Sequence, residues 1–407
     1  MARTVTATQS TLANQTTRRP DRSERLLRRT GAWILLYLGL QAELGLAWDR
    51  NWHDLIGRDQ FWTLPHMMLY AGVGGAGLVA LLVGIIDTIR YHRRAAGVND
   101  SSTITFLRYF HAPLGYILLG FGALTDLVAA PLDNYWHLLY GIDVTLWSPF
   151  HLMGTIGGTL EGLGIIYIFS SEIVIERDSP QSPRRWLGFS ALEWGVLALL
   201  AAYINLAIPA LTAFIPISLG PIQLLSYPIP LALTAGFSLV SAVQITRKAG
   251  SASLTVLLLF IEAFYTQAFV PFAIRTSVNM LHLTYRFVDR RPAFNFTLVL
   301  LPLLFLVIAL TIDWLVYRKQ KSGANTTILP PLWQLMLIVT IPALALPPLI
   351  VQTVESIPAF SPVPAGMFVL EPQWFSTLLS APLVLLFGTI GVLFGLFFGD
   401  IWYMNRQ

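Results

Sequence analysis

Long apolar stretches separated by short polar clusters make up most of this 407-residue chain. Each stretch has about the 20 residues that an α-helix needs to cross the hydrocarbon core of a bilayer. The pattern predicts ten membrane-spanning helices, at about 31–48, 65–90, 105–130, 149–173, 186–213, 222–245, 252–274, 293–317, 331–351 and 381–403. Because these runs lack the two-residue alternation of a β-barrel, the predicted class is an all-α, polytopic membrane helical bundle. Its first partner is the lipid bilayer.

The composition agrees with this class. Hydrophobic residues make up 55% of the chain and charged residues 12%, and the mean hydropathy is +0.63. The charges lie in short clusters beside the apolar stretches, so no nucleic-acid partner is expected. The chain has no cysteine, which excludes disulfides and thiolate ligands and leaves nitrogen and oxygen donors for any metal.

Arginine and lysine predict the orientation in the plasma membrane, because these residues stay on the cytoplasmic side. Residues 1–30 carry seven arginines and no apolar run, and they are predicted to form a disordered basic tail. Most later basic clusters fall on the same side in the ten-helix order, so both termini are expected in the cytoplasm. The segment 275–291 carries four arginines on the opposite side and leaves the helix count between 250 and 295 open.

A polar block interrupts the apolar pattern twice. Residues 48–68 read WDRNWHDLIGRDQFWTLPHMM (the first block), and residues 133–153 read DNYWHLLYGIDVTLWSPFHLM (the second block). At an offset of 84 residues, rising to 85 near the end, identical residues align: Asp49 with Asp133, Trp52 with Trp136, His53 with His137, Gly57 with Gly141, Asp59 with Asp143, His66 with His151 and Met68 with Met153. This match predicts a parallel duplication of a helical hairpin, with both blocks on one membrane face. The predicted organisation is a four-helix half over 31–175, with repeats at about 31–95 and 105–175, and a six-helix half over 186–407.

The spacing within each block has chemical content. If the helix continues past Asp49, then Asp49 and His53 share one helix face at i, i+4, and His66 begins the returning helix. Asp133, His137 and His151 repeat this set. A carboxylate with two imidazoles suits copper, iron or zinc, so each block is a candidate metal site. The alternative is that these residues are interfacial anchors and helix caps that bind no metal.

Further acidic residues are candidates for supporting roles. Asp59 and Asp143 are expected either to hold the second N–H of a ligating imidazole or to cap the returning helix. Glu43 and Asp126 precede the two blocks by nearly equal distances within apolar stretches, and Glu161 follows the second block. Because charged groups are costly in lipid, Glu43 and Asp126 are predicted to support the metal sites or to form a proton path, and Glu161 is predicted to line the same cavity.

The first block also resembles a known family. Its pattern Asp49-x3-His53-x12-His66, with Arg58-Asp59, Thr63 and Pro65 between the histidines, is similar to the metal-binding segment of a helical membrane subunit of the copper membrane monooxygenases, the particulate methane and ammonia monooxygenases. The resemblance covers about 20 residues of the chain. It implies copper at Asp49, His53 and His66 and, through the repeat, at Asp133, His137 and His151. It also implies oxidation of a small apolar or ammonia-like substrate with dioxygen, and other membrane subunits as partners. The chain departs from the family in its greater length, its ten predicted helices and the x13 spacing of the second block.

Two other functions stay open. Intramembrane carboxylates and histidines are also typical of a transporter or metal permease, which binds a cation transiently on its way across the membrane. A non-catalytic metal-binding or assembly subunit, alone or as a homo-oligomer, is the third interpretation.

Overall fold

The computed structural model describes residues 22–57, 60–95, 100–141, 148–179, 182–206, 217–220, 222–287, 291–323, 328–355 and 374–404. These ranges contain eleven helices: α1 (Arg22–Leu55), α2 (Leu64–His92), α3 (Leu114–Tyr140), α4 (Pro149–Arg177), α5 (Ala191–Asn205), α6 (Pro228–Thr246), α7 (Ser251–Met280), α8 (Phe296–Leu300), α9 (Leu303–Lys321), α10 (Leu332–Glu355) and α11 (Trp374–Met404). The described part of the chain is therefore mainly helical, as the apolar pattern predicted.

Within the described ranges, eight helices are long and apolar enough to cross a membrane. They are α1, α2, α3, α4, α6, α7, the segment Leu298–Lys321 and α11. Two shorter apolar helices, Ala191–Asn205 and Leu332–Pro347, lie where the predicted fifth and ninth spans were placed. This architecture is compatible with a multi-pass helical membrane protein in a lipid bilayer.

Short β-hairpins lie between some of the helices. The six strands are β1 (Thr103–Phe106), β2 (Phe110–Pro113), β3 (Arg185–Trp186), β4 (Phe189–Ser190), β5 (Ile217–Leu219) and β6 (Ile222–Leu224), paired consecutively and antiparallel. The β1–β2 hairpin occupies the predicted start of the third span, which is therefore wrong for 105–113. The buried His111 ring makes polar contacts with Thr105 and Asp100 there, and its backbone N–H donates to Thr88 Oγ1. These contacts stabilise a strand pair rather than another helical turn.

The predicted disordered tail is wrong for residues 22–30, which form the start of α1. Arg28 is buried there with two carboxylates, Glu24 at 2.7 Å and Asp87 of α2 at 3.0 Å. The neighbouring Arg29 pairs with Glu172 of α4 at 3.2 Å. These ion pairs hold α1 against both α2 and α4, so the arginines are structural here. Residues 1–21 lie outside the described part of the chain.

The α1–α2 pair (the first hairpin) and the α3–α4 pair (the second hairpin) are each packed backbone to backbone through small residues. A Cβ added to Gly72 of α2 would lie 2.8 Å from the Ala42 Cβ of α1, and Gly115 and Gly164 meet in the same way between α3 and α4. Such contacts let membrane helices approach closely. Apolar residues of both hairpins and of α5 form one buried core, and α6 to α11 enclose a second core around Phe305.

The arginine-bearing segment 275–291 lies beside the first block. Arg275 is part of α7, which continues to Met280, and the described residues between 281 and 295 add no further helix. The backbone N–H of Arg286 donates to the carbonyl of Leu55 at the end of α1, at 2.7 Å. Within the described chain, α7 is therefore the one helix between residues 250 and 295.

Candidate metal centre

The first block brings together the three side chains that its spacing predicted. Asp49 and His53 lie one turn apart near the end of α1, and His66 lies in the first turn of α2. The Asp49 carboxylate is 3.6 Å from His53 Nε2 and 3.2 Å from His66 Nε2. All three residues are partly buried, and their donor atoms lie within 4.8 Å of one another.

The second block repeats this arrangement. Asp133 and His137 lie one turn apart at the end of α3, and His151 lies in the first turn of α4. The Asp133 carboxylate is 3.4 Å from His137 Nε2 and 3.3 Å from His151 Nε2, and these donor atoms also lie within 4.8 Å of one another. Each hairpin therefore carries one compact Asp-His-His donor set.

Shared local features place each donor set at a helix end. Gly57 follows α1 and Gly141 follows α3, with φ of +101° and +85°, values that glycine adopts readily and that end a helix. The returning helices α2 and α4 both begin with a proline in the first two positions, where its missing N–H costs nothing. In the second block, Ser148 Oγ accepts the backbone N–H of His151 itself. In both blocks, one histidine is thus positioned by the end of a helix and the other by the start of the next helix.

The spacing of the donor atoms fits a small transition-metal ion. Nitrogen and oxygen ligands at roughly 2.1 Å from a tetrahedral ion lie about 3.4 Å from each other. The four carboxylate-to-imidazole distances, from 3.2 to 3.6 Å, scatter around that value. One carboxylate and two imidazoles are also a donor set that copper, iron and zinc accept.

The second ring nitrogens give a more specific indication. His66 Nδ1 lies 3.2 Å from the carbonyl oxygen of Gln60, and His137 Nδ1 lies 3.1 Å from that of Gly141. A neutral imidazole has one N–H, which the carbonyl selects at Nδ1, so the Nε2 lone pair faces a carboxylate oxygen. Two acceptors at 3.2 to 3.4 Å repel unless a positive charge lies between them. A metal ion between the two atoms would stabilise this arrangement.

The support around the two donor sets differs. Trp48, directly before Asp49, is buried against α7, where its ring meets Phe269 edge to face at a centroid distance of 5.8 Å. The corresponding residue of the second hairpin, Leu132, is partly exposed. No local pattern linked the first block to α7, more than 200 residues away in the chain, so sequence reasoning missed this contact.

The predicted supporting acids have separate locations. Asp59 and Asp143 lie outside the described residues, so their predicted roles stay predictions. The Glu43 carboxylate accepts a hydrogen bond from Asn205 Nδ2 of α5 at 2.7 Å. Asp126 and Glu161 lie in the contact between α3 and α4. At the 84-residue offset Asp126 corresponds to Ala42, so the apparent match between Glu43 and Asp126 is wrong by one position, and the two side chains face different neighbours.

Comparison with known proteins found no relative of this chain. No protein-family model matches the chain, and neither a curated protein nor a solved structure is significantly similar to it. The evidence on function is therefore the chain's own: apolar helices that are compatible with a membrane, and two Asp-His-His groups at the ends of matching hairpins.

Proposed function

We propose that this chain is a membrane-embedded metalloprotein with two metal sites, one at Asp49, His53 and His66 and the other at Asp133, His137 and His151. The observation that carries the proposal is that, in both sets, one carboxylate and two imidazoles place their donor atoms within 4.8 Å of one another, an arrangement that a bound cation stabilises. The proposed setting is a ten-span bundle with a duplicated hairpin and cytoplasmic termini.

Copper is the proposed metal, because the first block resembles the metal-binding segment of the copper membrane monooxygenases. Bound copper would supply activation of dioxygen for the oxidation of a small apolar or ammonia-like substrate. The chain's own residues supply the rest. Asp49 offsets part of the metal charge, and the carbonyls of Gln60 and Gly141 fix the imidazole tautomers. The buried Trp52 excludes water from one side of the first set, while the surrounding apolar helices admit an apolar substrate from the bilayer.

The second candidate function is a transporter or metal permease. The acids at membrane depth favour it, since Glu43, Asp126 and Glu161 offer further oxygen ligands on the inner side of the blocks. A non-catalytic metal-binding or assembly subunit would share the sites without the reaction. Tightly held, redox-active copper favours the oxygenase, whereas weak binding together with cation uptake into sealed vesicles favours transport.

Metal analysis of the purified full-length protein tests the proposal. We expect two copper ions per chain, one after Asp49→Ala or His53→Ala, one after His137→Ala, and none after His53→Ala and His137→Ala are combined. His92→Ala is the matched control, because His92 contacts a backbone carbonyl between α2 and α3 and belongs to neither set. Unchanged metal content in all four donor-set variants would remove the basis of the proposal.

A further inference from the structure

Two acidic side chains lie within the α3–α4 contact, away from both donor sets. A Cβ added to Gly157 of α4 would collide with the Asp126 carboxylate of α3, and a Cβ added to Gly122 of α3 would lie 2.8 Å from Glu161 Cγ. Asp126 lies one turn after Gly122, and Glu161 lies one turn after Gly157. In an antiparallel helix pair, each acid therefore lies against a glycine of the opposite helix, one turn away from the other acid.

These acids have no cationic partner among the described residues. Glu161 is only 6% exposed, and neither its Oε1 nor Asp126 Oδ1 has a hydrogen-bond partner in the described chain. Tyr203 of α5 lies against Gly162, next to Glu161, and its hydroxyl donates to the Thr159 carbonyl. On the other sides α2 places Gly77 against Ala123 and α1 places Gly39 against Ile165.

Packing alone does not explain the acids. At the offsets of 84 and 85 residues, the corresponding residues of the first hairpin are Ala42 and Ala76. Both alanines lie in a close α1–α2 contact, where Gly72 meets Ala42 and Ala76 is buried. The first hairpin therefore packs with methyl groups in these two places, with Leu38 at the position of Gly122, and the second hairpin carries carboxyl groups there at a desolvation cost.

We propose that Asp126 and Glu161 form a proton-binding site within the membrane, in which two carboxyl groups share one proton. Two carboxylates buried in one low-dielectric helix contact, with no cation beside them among the described residues, are costly to keep ionised together, so the pair takes one proton from water. Asp126 lies seven residues before Asp133, about 10 Å along α3. The site therefore holds a proton about two to three turns from the second donor set, and the first hairpin carries alanines in its place. This inference does not depend on metal binding.

Infrared difference spectroscopy on the full-length protein in lipid vesicles at neutral pH tests the site. The comparison is between the wild type and the combined variant Asp126→Ala and Glu161→Ala, which installs the residues of the first hairpin and is therefore expected to fold. We expect the wild type to show the carbonyl stretch of one more protonated carboxyl group per chain than the variant, and this difference band to shift on deuterium exchange. Identical spectra in the carboxyl region would overturn the proposal.

Labelling with a hydrophobic carbodiimide gives an independent measurement. The reagent adds the O–H of a protonated carboxyl group across its C=N bond, so the adduct has the mass of protein plus reagent. We expect an adduct on Asp126 or Glu161 by mass spectrometry, and none on Asp87, which is buried but paired with Arg28. If sodium or potassium ions at constant pH prevent the labelling, the site binds a metal cation in place of the proton, and the proposal is overturned. Both measurements report on the carboxyl groups themselves and not on bound metal, so failure of the metal proposal would leave this result intact.

Discussion

The two hairpins carry the same donor set on the same local frame, yet their surroundings differ. The first set is packed against α7 through Trp48 and lies beside the 281–287 segment. The second set is more open, since the His151 side chain is 27% exposed and His66 is 16% exposed. Of the two hairpins, the second carries the acid pair. The geometry of the donor atoms is set within each block, whereas the packing around each donor set depends on distant helices. We therefore expect the two sites to differ in metal affinity and in their access to protons.

At the ends away from the two blocks, both hairpins form an ion pair with α1. Asp87 of α2 and Glu172 of α4 occupy corresponding positions at the 85-residue offset, and both pair with α1, through Arg28 and Arg29 respectively. One helix therefore holds both hairpins at the end away from the blocks. The two ion pairs differ in burial, because Arg28 is 3% exposed and Arg29 is 31% exposed.

The largest effect is expected from Arg28→Ala. This change leaves the buried Glu24 and Asp87 carboxylates without their cation. Removing one partner of a buried pair costs about 3–5 kcal/mol, so thermal unfolding in detergent should show a strong loss of stability. Arg29→Ala is the matched variant for the second hairpin and is expected to cost much less, because solvent reaches the Arg29 side chain. Equal losses in both variants would contradict the difference in burial.

Trp48→Ala should separate the two donor sets. Removal of a buried aromatic side chain costs about 3–5 kcal/mol and leaves a cavity beside Asp49. We therefore expect lower stability together with weaker metal binding at the first set and unchanged binding at the second, measured by copper titration in the His53→Ala and His137→Ala backgrounds. Leu132→Ala, at the corresponding position, is expected to change stability by about 0.5 kcal/mol or less. A comparable loss at Leu132 would show that the α7 contact is not what distinguishes the sets.

The sequence predicted the donor sets because their geometry is local. The i, i+4 spacing fixes Asp49 and His53 on one helix face, and glycine followed by a proline-led helix returns the chain for His66. The contact of Trp48 with Phe269 depends on how distant helices pack, which no local pattern encodes. The apolar pattern predicted where helices lie, with the β1–β2 hairpin as its main error, because hydropathy alone does not separate a short apolar strand from a helical turn.

The sequence predicted Asp126 and Glu161 as candidate residues, but it did not predict that both lie in the α3–α4 contact. Counting residues from each block matched Glu43 with Asp126, whereas the structure places Asp126 over Gly157 as Ala42 lies over Gly72. A shift of one residue rotates a helical side chain by about 100°, so an approximate distance along the chain does not identify a helix face. If the 84-residue offset between the two blocks had been applied to the flanking helices as well, it would have matched Asp126 with Ala42.

The smallest effect is expected from Ser148→Ala. Ser148 Oγ accepts the backbone N–H of His151 at 3.3 Å and so fixes the first turn of α4, which carries a ligand of the second set. Loss of a helix N-cap costs about 1 kcal/mol, which corresponds to roughly a fivefold weaker metal affinity if the first turn must re-form on binding. Copper titration in the His53→Ala background, where only the second set remains, measures the change. Ser148→Thr keeps an acceptor and should bind like the parent. If both substitutions weaken binding equally, the side-chain volume at position 148 rather than the cap positions His151, and the local frame of the second block is less rigid than its geometry indicates.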